Sequence, residues 1–165
     1  MTLRHVIFGW DLLLALLGAI CMAVVFPAWL PTDFAKDLYG VGISVLSILF
    51  AVYFAALAII MASSDDEFVT FLDEQGDYTL LIATFKMALF ILFCALLVAL
   101  CFYTYTSFRI ANHFGEQRKW WVVGFGFLFL WGLFAAFLST RDAILYSKYR
   151  SRFLALRRNN RDLGA

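Results

Sequence analysis

Four ionisable side chains sit inside or at the ends of long apolar stretches: Asp11, Lys86, Arg141 and Asp142. A charge at the centre of a bilayer costs roughly 2.5–3.5 kcal/mol even on the most lenient insertion scale. Two acids and two bases can cancel as pairs, and helical side chains lean toward their own N-terminus. Lys86 and Asp11 therefore reach toward one membrane face while Arg141 and Asp142 lean back toward them. Three chemistries remain open: a paired cluster that sets conformation, separate snorkelling of Lys86 and Asp11 to the headgroups, or a proton or ion pathway.

Covalent and metal chemistry find little to work with. His5 and His113 are the two histidines, and the topology read below puts them on opposite sides of the membrane. Cys21, Cys94 and Cys101 all fall inside apolar stretches, with no C-x-x-C spacing, and read as small packing residues rather than a disulfide framework or zinc site. No H-E-x-x-H, P-loop, G-x-S-x-G or G-x-G-x-x-G occurs, and Gly124-Phe-Gly126 reads as a close-packing site. The expectation is no enzyme, no catalytic residues, no metal and no cofactor.

The elements that position these charges are apolar helices. Hydrophobic residues make up 64% of the 165-residue chain and charged residues 15%, a balance foreign to soluble domains. Leu12–Leu30, Leu38–Ala62, Met87–Ser107 and Trp120–Thr140 carry no charge, and about 20 such residues cross a hydrocarbon core of about 30 Å. Spans are expected over about 7–30, 38–62, 79–106 and 120–142. The first has full membrane length without a small-residue cleavage site before it, so it reads as a retained span rather than a signal peptide. The fold class is all-α: a polytopic membrane protein, an antiparallel four-transmembrane-helix bundle over residues 1–145 with short loops, followed by a basic tail over 146–165.

Orientation follows the bases. With both termini in the cytoplasm, Arg4 and seven tail bases lie inside, against Lys36, Arg109, Arg118 and Lys119 outside. That bias favours a multi-pass protein of the bacterial inner membrane with cytoplasmic ends. Trp29, Tyr39, Tyr103, Tyr105, Trp120 and Trp121 then lie near the outer interface, with Pro31–Asp37 as an outer turn and Phe108–Lys119 as an outer loop.

Three further features could carry function. In the second span Gly40, Ser44, Ser47, Ala51, Ala55, Ala58 and Ala62 recur at steps of four and three, so one helix face is small throughout. Small faces let helices approach closely in lipid. The stripe suits packing against another span of the chain, a subunit contact in a homo-oligomer, or a pore lining with Ser44 and Ser47 as hydroxyls. The cytoplasmic connection 63–77 carries Asp65, Asp66, Glu67, Asp73 and Glu74. Ser64 to Glu67 has capping-box spacing, and Phe68, Phe71 and Leu72 follow on one face. It reads as a short amphipathic helix at the inner surface or an extension of the second span. In the tail, Tyr146, Tyr149, Phe153 and Leu156 mark one face, with Lys148, Arg150, Arg152, Arg157 and Arg158 around it. Such a helix suits anionic headgroups, the acidic connection or an acidic protein partner; the alternative is that its bases only set topology, and nucleic acid is not an expected target.

The stretch from Leu38 to Leu100 resembles small four-span membrane proteins of phage exclusion, the RexB-like proteins and, more loosely, the KwaA-like membrane subunits of Kiwa defence systems. The resemblance lies in Gly40-Val-Gly42, in Ala55-Ala-Leu-Ala-Ile-Ile-Met-Ala-Ser63, and in a short charged loop ending Gly76-Asp-Tyr78 before an aromatic-rich span. The loop is acidic where the RexB-like pattern is basic. The resemblance implies a non-enzymatic, homo-oligomeric sensor or effector platform of anti-phage defence that works with a cytoplasmic partner. It also implies the alternative of an ion channel that depolarises the membrane. A small-solute transporter or membrane-embedded enzyme is the remaining alternative.

Overall fold

The computed structural model describes residues 9–62 and 77–163, and for 77–81, 142, 143 and 145–163 the backbone alone. The elements in chain order are α1 (Trp10–Val25), β1 (Trp29–Pro31), α2 (Thr32–Ala62), α3 (Asp77–Ala111), β2 (Glu116–Arg118) and α4 (Lys119–Leu163). The chain is mainly helical. Thr32–Ala62, Ile82–Ala111 and Lys119–Arg141 are long and apolar enough to cross a membrane, whereas α1, with 16 residues, is shorter.

The expected first span of 7–30 stops early for a local reason. Pro27 lacks an N–H and disfavours helical geometry in the residue before it. Phe26 accordingly turns extended (φ −78, ψ 137), although its N–H still bonds Met22 O. Residues 29–31 then form a strand that pairs with β2: Trp29 with Arg118, Leu30 with Gln117 and Pro31 with Glu116, antiparallel.

This small sheet corrects the expected outer turn and loop. α2 begins at Thr32, inside the supposed turn 31–37, with Asp33 in its first turn where the helix dipole favours an acid. α3 runs on to Ala111, and only four residues separate it from β2. Its end is a Schellman-type cap: Phe114 N–H bonds Arg109 O and His113 N–H bonds Ile110 O. His113 takes the left-handed position (φ 62) that glycine fills most easily, and Arg109 lies over the Phe114 ring at 5.1 Å.

The core lies among α2, α3 and α4. Tyr39, Leu46 and Tyr53 of α2, Phe85, Leu92, Ala95 and Ala99 of α3, and Val122, Phe125 and Ala136 of α4 are its buried residues. Ring contacts join Tyr39 to Phe102, Phe50 to Phe93 and Tyr53 to Phe85, so numbers rise along α2 as they fall along α3. Gly42 lets the Phe125 ring lie directly on the α2 backbone; a Cβ there would overlap it. α1 packs along α4, with Ala15 and Ala19 buried and Leu13, Leu14, Leu16, Leu17, Ile20, Val24 and Val25 exposed.

Candidate functional site

Among the described residues, paired buried polar groups gather at three places, each serving to satisfy them away from water, whereas the buried Ser107 hydroxyl has no partner. Beneath the sheet, Gln117 is 1% exposed. Its strand register turns it inward, where Thr106 Oγ1 donates to its Oε1 at 3.1 Å and its Nε2 donates to Tyr39 OH at 3.2 Å. Thr32 Oγ1 donates to Phe114 O and Gly115 O, and Arg109 Nη2 to Glu116 O at 2.8 Å. At the opposite end of the core, Tyr53 OH donates to Ala136 O and pairs with Thr140 Oγ1.

The third place is the α1–α4 seam. Asp11, 7% exposed, accepts from Trp131 Nε1 at 3.3 Å through Oδ2. At the other end of α1, Lys119 Nζ donates to Ala23 O at 2.6 Å and Phe26 O at 3.3 Å, carbonyls the helix cannot satisfy itself. Between the two, Gly18 faces Leu130 and Gly126 faces Met22.

The four charges singled out from sequence are distributed as follows. Asp11 is buried against α4, Lys86 is exposed on α3, and Arg141 is exposed at the end of the apolar part of α4. The side chain of Asp142 lies outside the described residues. Trp131 lies ten residues before Arg141, about 15 Å along the axis, so Asp11 is held well above the Arg141 level.

The stripe of α2 faces outward. Ser44, Ser47, Ala51, Ala55, Ala58 and Ala62 are exposed and Gly40 half-buried, while the inward face is Ala35, Tyr39, Gly42, Leu46 and Tyr53. The two hydroxyls are used within the helix: Ser44 Oγ donates to Gly40 O, and Ser47 Oγ to Ile43 O and Ser44 O. The acidic residues Asp65, Asp66, Glu67, Asp73 and Glu74 lie outside the described residues. The basic positions Lys148, Arg150, Arg152, Arg157 and Arg158 all fall within α4, which continues unbroken to Leu163.

The aromatic group expected at the outer interface gathers around the sheet. Arg118 lies over Trp29, Lys36 over Tyr103 and Lys119 over Trp120, each within 6 Å of the ring centre, and Trp121 packs on Phe102 and Tyr105. Tyr39 lies at the same end, bonded to Gln117 beneath the sheet, but is wholly buried in the core. An open groove of about 570 Å³ on α3 is lined by Leu100, Cys101, Thr104, Tyr105 and Phe108, and the Thr104 hydroxyl is spent on Leu100 O. Among the described residues no three His, Cys, Asp or Glu side chains converge.

Gln117 and Trp131 are residues that sequence reasoning passed over, and Lys119 entered it only as an outer base, not as a partner of α1. A glutamine between two charges in a predicted loop gives no signal of burial, and an indole in an apolar run reads as lipid-facing. The class of molecule that fold and site define is a mainly helical protein with, among the described residues, three apolar helices of membrane-crossing length. Comparison with family models, curated proteins and solved structures finds no match for the chain.

Proposed function

We propose that this protein is a non-enzymatic, homo-oligomeric subunit of the bacterial inner membrane, an antiparallel four-span bundle with both termini cytoplasmic. In this reading it serves anti-phage defence as a platform that couples membrane state to a cytoplasmic partner. The observation that carries the assembly part is the outward α2 stripe. Sequence alone favoured packing within the chain for this stripe, but the chain uses the opposite face of α2 for that purpose. Lipid gains nothing from a row of Ala and Ser, whereas a second helix gains close approach.

Depth along the helices supports the four-span reading. Tyr103, Tyr105 and Trp121 mark one interface; Lys86 lies about 27 Å from Thr104 and Arg141 about 30 Å from Trp121 along their axes, near one hydrocarbon thickness. An exposed Lys86 then sits where its stem reaches the headgroups. α1, about 24 Å long, runs beside the crossing part of α4. The defence role rests on the Leu38–Leu100 resemblance. The channel alternative gains no support from the stripe, because both hydroxyls that would line a pore are bonded to their own helix.

Cysteine cross-linking tests the assembly. With Cys21, Cys94 and Cys101 replaced by Ala, Ser44→Cys, Ala51→Cys and Ala58→Cys should each give disulfide-linked dimers in membranes, while Phe90→Cys on exposed α3 should not. Monomers throughout would remove the proposal. For the defence role, expression of the gene should lower phage plating, and Ala51→Leu/Ala55→Leu should abolish that protection; unchanged plating with the native gene would sink it.

A further inference from the structure

The tail is continuous with the last crossing helix, and that decides how it can be used. α4 has 45 residues, about 67 Å, of which Lys119–Arg141 is the apolar crossing part. No proline and no glycine follows Gly132 within it, so nothing in the sequence kinks the helix after the membrane. An interfacial amphipathic helix lies in the membrane plane; a straight continuation of a crossing helix instead projects roughly 33 Å from it. α3, with 35 residues, ends at the same sheet-capped end and is about 15 Å shorter, so the last turns of α4 run past its start.

Along this projecting part, positions 146, 149, 153, 156, 160 and 163 alternate by three and four. They hold Tyr, Tyr, Phe, Leu, Asn and Leu, the a and d positions of a heptad seam with an asparagine at one a position, a device that sets register. The flanking e and g positions are Arg150, Arg152, Arg157 and Asn159, three of the four basic. Copies inserted in one membrane would bring their tails together parallel, a register that sets the basic position 152 opposite the basic position 157 of the next copy, like against like. The seam is thus apolar enough to pair and charged against pairing with itself.

We infer that the projecting tail of α4 is a docking helix for a soluble partner that offers an acidic amphipathic helix, with apolar a and d positions and Glu or Asp at e and g. This rests on the partner-coupling role proposed above and names the chemistry of that partner. The test uses the full chain in phosphatidylcholine nanodiscs and a labelled synthetic helix with Leu at a and d and Glu at e and g, read by fluorescence anisotropy. Binding should weaken at least about tenfold with Leu156→Asp, and with Arg150, Arg152 and Arg157 all changed to Glu, which should instead bind the Lys version of the peptide. Circular dichroism and gel filtration check that these variants keep their helix and assembly. No binding to the native protein, or equal binding by Leu156→Asp, overturns the inference. So does loss of binding when phosphatidylglycerol is added, which makes the tail a lipid anchor. Binding that emerges only after Asp65, Asp66, Glu67, Asp73 and Glu74 are neutralised makes it a seat for the chain's own connection, and overturns it too. In each of those outcomes α2 cross-linking still reports on the oligomer, so the two proposals fail separately.

Discussion

The α2–α3–α4 core and the α1–α4 seam are both helix packings, but they are held by different means. In the core, large side chains interlock: Tyr39 meets Phe125 at 5.0 Å and Phe102 at 5.7 Å, and Tyr53 meets Phe85 at 5.6 Å. Both ends of that core are closed by buried hydrogen bonds that tie α2 to its neighbours, Tyr39–Gln117–Thr106 at one end and Tyr53–Ala136–Thr140 at the other. In the seam, α1 offers Ala15, Gly18 and Ala19, and one polar side chain of α4 pins each end, Trp131 at Asp11 and Lys119 at Ala23 and Phe26. Without a hydrophobic drive between helices in lipid, area alone stabilises little; close packing and satisfied polar groups decide. The core has both, distributed over three helices. The seam has a single partner helix, so α1 is the element expected to loosen first.

The strongest way to break the contrast is at Gln117. Replacing it with Leu leaves two buried hydroxyls, Tyr39 and Thr106, without their partner, at about 1–3 kcal/mol for each unsatisfied group. A loss of about 2–4 kcal/mol is expected in unfolding by sodium dodecyl sulfate followed by tryptophan fluorescence, and Tyr39→Phe should recover part of it. Equal stability of Gln117→Leu and native protein would show that the knot does not hold the core.

Glycine substitutions sharpen the same comparison. Gly42→Ala drives a methyl into the buried Phe125 ring, which is wedged between Tyr39 and Phe129, and should cost about 1–3 kcal/mol in the same assay. Gly18→Ala meets only the end of the half-buried Leu130 side chain, which can turn aside, so a loss below about 1 kcal/mol is expected. Reversal of that order would mean the seam is the tighter packing.

Much of the fold was legible in the pattern, and what was not has definite causes. The apolar stretches located α2, α3 and the crossing part of α4, because hydropathy over about 20 residues is what a bilayer selects. Helix ends were misplaced wherever polar residues continued the helix beyond the apolar run, as at Thr32-Asp33 and Arg109-Ile110-Ala111. The sheet was invisible: three residues on each side, more than 80 positions apart, carry no periodicity to read. Of the site residues, the stripe was found by spacing, yet only the structure says which way it points. Asp11 was found by its charge, but its partner is a tryptophan, which no charge-pairing argument proposes.

That indole provides the third test. Trp131→Phe keeps the ring and deletes the one described hydrogen bond to Asp11, leaving a buried carboxylate at a cost of about 1–3 kcal/mol. The loss should fall on α1 alone. In a background without native cysteines, Ala15→Cys on the seam should react with a membrane-permeant maleimide several-fold faster in the Trp131→Phe protein. Ala99→Cys, equally buried in the core, should remain protected. If both cysteines gain reactivity together, α1 and the core open as one unit and the contrast between them disappears.

The smallest effect belongs to Lys119, whose ammonium occupies the carbonyls at the C-terminal end of α1. A cation there contributes about 0.3–1 kcal/mol when exposed and up to about 2 kcal/mol when partly buried. Lys119→Met keeps the length of the stem and removes the charge, so α1 should lose that interaction while the neighbouring β1–β2 pairing, made by backbone groups, survives. The same Ala15→Cys labelling should rise by about fivefold or less, and when the change is combined with Gln117→Leu the two stability losses should add, because the groups share no partner. Non-additive losses would show that the sheet transmits strain from the seam to the core, and that the molecule has one cooperative unit where its contacts describe two.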